Sequence, residues 1–312
     1  MNFMITAQQV GILGTAMLVG FLIVKTGYVN ADVKNAISKI IVKVALPCLI
    51  ISSISEKDLE RELLGNIFLT FCLSLFCLIT LFAVGVLCAK LLKLSGGTRT
   101  VHKLLTSLGN VIFFGYPIIY ALYGDMGFFY AIIYWLLNDL FLWTVGVFLF
   151  SRDNKEKKNG SLLKNLLNPN TISFAIAVLM FIFGIKLPPI IAPAFEGIGA
   201  LTTYLSMIFI GMALATVDAK KALKSYGVFV ALVLKLIIMP FVFIFIFRLI
   251  PADKVILSVV ILEAAMPAQT VLTILANDYD SDFEYAAVGM FATTLASLVT
   301  MPVVCHFLEI LL

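Results

Sequence analysis

Apolar side chains gather into ten stretches along the chain, and polar residues fall mostly in the short breaks between them. The stretches run over about 4–24, 34–54, 63–92, 102–123, 128–150, 169–187, 192–217, 225–250, 254–277 and 284–311. Roughly 20 mostly apolar residues is the length of a helix that crosses bilayer hydrocarbon. The pattern therefore predicts an all-α polytopic membrane protein with ten transmembrane helices. The longest hydrophilic break, Ser151 to Asn168, separates a first half (1–150) from a second (169–312) and is expected to be a cytoplasmic linker.

Composition agrees with this picture. Apolar residues make up 62% of the 312 positions and charged residues 13%, against about 45–50% and 25% in soluble domains. A soluble chain of this size has too much surface to hide so many apolar side chains. Met1 to Gln9 has no basic leader and Gly11 to Val24 begins the first span, so no cleaved signal is expected. Cys48, Cys72, Cys77, Cys88 and Cys305 all lie in apolar stretches without metal-ligand spacing and read as packing residues. His102 and His306 are far apart in the chain, so no metal site is expected, nor any cofactor.

The charges report orientation. With the N-terminus outside, the cytoplasmic loops hold Lys25, Lys34 and Lys39; Lys90, Lys93, Arg99 and Lys103; Arg152, Lys155, Lys157, Lys158 and Lys164; and Lys220, Lys221 and Lys224. The external loops hold only Lys57, Arg61, Lys186, Arg248 and Lys254. This bias predicts extracellular N- and C-termini in the plasma membrane, and it accounts for the net charge of +4 without a nucleic-acid partner. One inner loop dissents, with Asp278, Asp280, Asp282 and Glu284 and no basic residue.

Five spans per half is an odd number, so related halves must be inverted relative to each other. Setting Pro47 against Gly211 brings PCLIISSISEKDL into register with GMALATVDAKKAL, and each half has a proline in its fourth span, Pro117 and Pro267. Proline removes a helix hydrogen bond, and in lipid such breaks survive where they face protein or a wet cavity. Inverted repeats with interrupted helices point to a transport site at the crossing. The strings Asn110-Val-Ile-Phe-Phe-Gly115-Tyr116-Pro117 and Glu263-Ala-Ala-Met-Pro267-Ala268-Gln269-Thr270 would supply it. Unwound helices that cross there would offer free N–H groups to an anion and carbonyls to a cation.

Several intramembrane polar residues allow two readings each. Asn110 either hydrogen-bonds a substrate or stitches helices together. Glu263 either binds a coupling cation or proton, or pairs with a lysine, because an ionised carboxylate in an apolar run is costly alone. Asp139, beside Asn138, is a second candidate for ion coupling or else bonds Trp143 or a carbonyl. Lys43 and Lys235 are each either buried counter-charges or snorkelling lysines. Tyr116, Tyr120, Tyr204, Trp135 and Trp143 either line a pocket for a flat substrate or pack.

The chain resembles the auxin efflux carrier family, which contains bacterial permeases of this size and the plant PIN-type auxin carriers. The resemblance rests on Lys43-Val-Ala-Leu-Pro47, Asn110 through Pro117 with Tyr123-Gly124, Trp143 with Phe148-Leu-Phe150, Gly211, and Pro267 through Ala276 with Tyr279. It implies a fold similar to bile acid:sodium symporters and sodium/proton antiporters of the inverted five-plus-five type. Spans 1, 2, 6 and 7 would form a scaffold, and spans 3–5 and 8–10 a transport domain that moves like an elevator. It also implies substrate contact at the span-four motif and makes a homodimer through the scaffold plausible. Lys43 matches a lysine of the plant carriers, and Glu263 stands where bile acid symporter-like proteins hold a cation. Asn138-Asp139 falls near a glutamine of the plant carriers, so the resemblance does not carry a substrate.

The expected function is secondary transport, as efflux, of small organic anions, since paired half-helix ends and a basic residue suit a carboxylate. The expected substrate contacts are Asn110, Gly115, Tyr116, Pro117, Asn138, Asp139, Trp143, Pro267, Ala268 and Gln269, with Glu263, Asp139 and Lys43 for a coupling sodium ion, proton or counter-charge. The alternative is an ion exchanger or channel through Glu263 and Asp139. An intramembrane enzyme is not expected, because GxSxG, HExxH and GxGD patterns are missing.

Overall fold

The computed structural model describes residues 3–30, 32–55, 61–153, 169–216 and 225–312, and among them every regular element is helical. In the first half these are α1 (Phe3–Lys25), α2 (Val33–Ile40), α3 (Leu46–Ser55), α4 (Arg61–Leu91), α5 (Gly96–Ser107), α6 (Tyr116–Phe141) and α7 (Val147–Asp153). In the second they are α8 (Pro169–Phe183), α9 (Ala192–Leu214), α10 (Tyr226–Val233), α11 (Met239–Phe247), α12 (Lys254–Ala264), α13 (Val271–Asp278) and α14 (Phe283–Leu311). Six of the continuous helical runs are long and apolar enough to cross a membrane, and the chain is a multi-pass membrane protein. From residue 154 the expected linker lies outside the described residues. So do Lys57, Lys155, Lys157, Lys158, Lys164, Lys220, Lys221 and Lys224, which entered the charge count.

The helices carry apolar side chains on their outer faces and bury some polar ones. On α4, Phe68, Ile79 and Leu87 are exposed while Thr70 and Ser74 are fully buried. A water-soluble helix does the reverse, and lipid as solvent explains the inversion.

Three prolines leave the helices continuous. Pro47, Pro117 and Pro240 each stand two residues after a π-turn, at Ile41–Ala45, Val111–Gly115 and Leu234–Ile238. The backbone N–H groups of Leu46, Tyr116 and Met239 each donate five residues back, to the carbonyls of Ile41, Val111 and Leu234. A proline has no N–H for the carbonyl four residues earlier and crowds it, and the wider turn absorbs both defects. A fourth π-turn, Leu142–Gly146, joins α6 to α7 without a proline. The loop expected between spans four and five contracts to a kink at Gly124, whose φ of 59° and ψ of −151° suit glycine.

The helices pack in two groups that meet where α1 lies on α14 and α6. α1 lies along α9, α3 packs on both α8 and α9, and elsewhere α4, α6 and α12 pack mutually while α14 covers α10 and α13. The α1–α9 seam is close enough to require glycine on both sides. A Cβ on Gly20 would overlap the Ile208 backbone, and one on Gly211 would overlap the backbone of Met17 and Phe21. The dissenting acidic loop has a structural use. Asp282 caps α14 by accepting from the Tyr285 N–H at 2.9 Å, and accepts from the Thr98 hydroxyl at 2.6 Å.

Candidate functional site

The two interrupted helices meet in the membrane interior. The first leaves α5 at Ser107 and runs through Leu108 (φ −90°, ψ 129°) and Asn110 (φ −80°, ψ 64°) before turning helical again at Val111. The second leaves α12 at Ala264 and resumes at Val271. Gly109 and Ala268 face each other as an isolated antiparallel bridge, and the Asn110 N–H donates to the Pro267 carbonyl at 2.7 Å. Pro267 therefore sits in its break, as expected. Pro117 does not: the first break lies seven or more residues upstream of it, and Pro117 lies inside the continuous run from Val111, where the preceding π-turn absorbs its missing N–H. Asn110, expected one turn from the break, is part of it.

Buried side chains hold the crossing strands. Asn138, fully buried on α6, accepts from the Gly109 N–H at 3.1 Å through Oδ1. Its Nδ2 donates to the Gly109 carbonyl and to Gln269 Oε1, both at 3.4 Å. The amide thus imitates a neighbouring strand. Thr293 on α14 accepts from the Ala268 N–H at 3.0 Å and donates to the Gly289 carbonyl at 2.8 Å. The expectation of free N–H groups in the breaks is corrected for Gly109, Asn110 and Ala268, whose N–H groups are all taken. A ligand would meet the first turn that begins at Val111, where a helix has no internal carbonyl for its N–H groups; in the turn from Val271 the Leu272 and Thr273 N–H groups already donate to the Gln269 and Thr270 carbonyls, at 3.2 and 3.1 Å.

The buried cation at the crossover is Lys235. It is fully buried, and its ammonium donates to the Thr106 carbonyl at 3.1 Å, at the C-terminal end of α5. That end carries the negative pole of a half-helix, so a cation there is favoured. Lys43 is exposed on the first π-turn, Asp139 is half-buried beside Asn138, and Trp143 is half-buried against the Leu104, Leu137 and Leu142 cluster.

Glu263 is fully buried at the end of α12, and neither oxygen has a hydrogen-bond partner among the described residues. The lysine pairing considered for it is not made by Lys235. Its carboxyl lies against Gly115, where an added Cβ would stand 2.6 Å from Oε2 and 3.0 Å from Oε1. The π-turn before Pro117 therefore makes the groove in which Glu263 sits.

Two clefts open on opposite ends of the helices. One, of about 500 Å³, is lined by Lys34, Asn35, Thr216, Thr270, Thr273 and Asn277, among others. Lys34 is the second residue of α2, and its ammonium donates to the Thr216 hydroxyl at 3.3 Å. At the head of this cleft the Thr270 hydroxyl accepts from Asn110 Nδ2 at 3.2 Å, so the cleft reaches the crossover. The other, of about 470 Å³, is lined by Ser52 and Ser53 at the far end of α3, with Tyr120, Asp125 and Glu196. Thr270 is the crossover residue that faces a cleft; it closes the second expected string but was not among the named contacts, and Thr293 and Lys34 were not expected at the site. Threonines within apolar runs were the available signal.

Comparison with known proteins follows the same line. A family model described as membrane transport protein matches residues 6–305. An uncharacterized transporter of Methanocaldococcus jannaschii is 26% identical over 96% of the chain and 97% of its own length. One from Methanothermobacter thermautotrophicus is 25% identical, covering 97% and 98%. The uncharacterized transporter YfdV of Escherichia coli is 23% identical, covering 92% of each.

Proposed function

The chain belongs to the membrane transport protein family, that of the auxin efflux carriers, and on that premise we propose that it exports small organic anions, carboxylates foremost, by binding them at the helix crossover. The observation that carries this is the cleft headed by Thr270, which Asn110 holds from behind, with Lys34 at its mouth. A carboxylate entering there meets a cation first and then the positive ends of the helical runs from Val111 and Val271.

The proposed architecture is ten spans in two inverted repeats. α1–α3 with α8 and α9 form the scaffold, and the remaining helices form a transport domain that carries the crossover as an elevator. The two packing sets and the two breaks that cross at Gly109 and Ala268 support it. The charge bias supports extracellular termini in the plasma membrane and makes the Lys34 cleft the cytoplasmic one. Glu263, buried one turn from Pro267, is the proposed place of a coupling ion.

The test is a screen of purified protein on solid-supported membranes with indole-3-acetate, malate and lactate, at varied sodium and pH. Saturable currents with at least one carboxylate are expected. Currents driven by sodium or protons alone, unaffected by any carboxylate, would replace this reading with an ion exchanger working through Glu263 and Asp139.

A further inference from the structure

Glu263 has neighbours that share its condition. Tyr116 and Tyr134 on α6 are each 1% exposed and their hydroxyls have no partner among the described residues; the same holds for fully buried Ser74 on α4. Both tyrosines lie within electrostatic reach of Glu263, and Tyr134 also of Cys77. Cys77 stands three residues from Ser74, on the same face of α4. α4, α6 and α12 pack against one another, so Tyr116, Tyr134 and Ser74 stand on the helices packed around Glu263.

Their positions along the chain place them at one level. Tyr116 is six residues past Asn110, Tyr134 four before Asn138, and Glu263 four before Pro267. Each is displaced from the crossover towards the Asp125 end, where Tyr123 meets Ser258 of α12. The Lys34 cleft approaches from the other side.

Buried polar atoms are nearly always bonded, to internal water where protein supplies no partner. An unpaired carboxylate costs several kcal/mol at such a place. Lys235 does not compensate it, because its ammonium serves Thr106. A metal ion wants a shell of several oxygen ligands. Gly115 covers one side of the carboxyl, and the described residues hold no cluster of three His, Cys, Asp or Glu. The facing groups are hydroxyls, which can hydrogen-bond a carboxyl and water in either direction.

Of the other titratable groups on the packed elements, those that act on this cluster are Asp139, which faces Tyr116, and Cys305 and Glu309 of α14, which face Tyr123. The π-turn Val111–Gly115 and α11 bring none.

From this geometry we infer that Glu263 binds a proton in a closed, hydroxyl-lined chamber formed with Tyr116, Tyr134 and Ser74, on the side of the crossover away from the substrate cleft. The carboxylate takes the proton from water on loading and returns it to water on release, and no other bond changes. The inference rests on the transport reading for its purpose, since a carried proton would drive the anion, but the site requires no organic substrate.

Infrared difference spectroscopy of the purified full-length protein in liposomes tests it, with sodium or choline as the monovalent cation. A carboxylic acid C=O band is expected at neutral pH in both salts. Glu263→Gln should remove it, and Tyr134→Phe, which keeps the ring but loses the hydroxyl, should shift it. Loss of the band on replacing choline by sodium at fixed pH would make this a cation site and overturn the inference, as would a wild-type spectrum in Glu263→Gln. If Glu263→Gln fails to fold, the sodium comparison and Tyr134→Phe decide, and an unshifted band in Tyr134→Phe also counts against the chamber. No carboxylate is added, so failure here is separable from failure of the organic-anion reading.

Discussion

Replacing Asn138 by leucine separates a structural role at the crossover from contact with substrate. The change keeps the side-chain volume nearly constant and removes three hydrogen bonds, at 3.1, 3.4 and 3.4 Å. It leaves both the N–H and the carbonyl of Gly109 without that partner. Interhelical hydrogen bonds in membranes average about 0.6 kcal/mol and reach about 1.7, so three of them bracket the loss at about 2–5 kcal/mol. At about 2 °C per kcal/mol for a chain of this size, Asn138→Leu should lower the melting temperature by about 4–10 °C. A thiol-reactive dye in detergent reads this directly, because Cys77 and Cys305 are buried in the folded protein. Transport should fall in parallel, since the loosened strands no longer fix the two helix ends. A variant that melts like wild type but does not transport would refute the reasoning and return Asn138 to the substrate.

Three other substitutions follow from the same geometry. Gly115→Ala drives a methyl into the Glu263 carboxyl and should cost about 1–3 kcal/mol, a loss partly reversed when Glu263→Asp shortens the side chain in the double variant; thermal melts of all three form the cycle. Lys235→Met should destabilise by about 1–3 kcal/mol by leaving the Thr106 carbonyl unpaired, measured by the same melts. Pro117→Ala should leave the crossover bonds intact and change carboxylate currents by less than about tenfold (1.4 kcal/mol), because this proline stands downstream of the break.

Much of the fold was legible because lipid makes the hydrophobic pattern nearly binary. Apolar runs gave the helices, and the paired prolines drew attention to the right two regions. The proline at 117 misplaced the first break, since sequence shows the missing N–H but not that a π-turn can absorb it. The residues that do break the helix are Leu108-Gly109-Asn110, and Gly-Asn was a turn signal that the proline overshadowed. The choice between Lys43 and Lys235 turned on packing. Both lie near the middle of their apolar runs, so sequence depth does not separate them; Lys235 is buried and Lys43 exposed because of which side of its helix each occupies. Asn138 was legible as a polar residue of the site, but its partner is the Gly109 backbone, which only the fold brings within reach. The pairing of Gly115 with Glu263 was equally hidden, being a contact between halves 148 positions apart.

The most direct test of the central claim is the carboxylate-driven current of Asn110→Ala beside wild type, in proteoliposomes matched for protein content and melting temperature. Asn110 stands directly behind the head of the open cleft, tied to it by a side-chain bond to Thr270. Its loss should therefore leave folding nearly unchanged while cutting the current by more than about tenfold (1.4 kcal/mol). Currents equal to wild type, with the same dependence on carboxylate concentration, would contradict binding at the crossover.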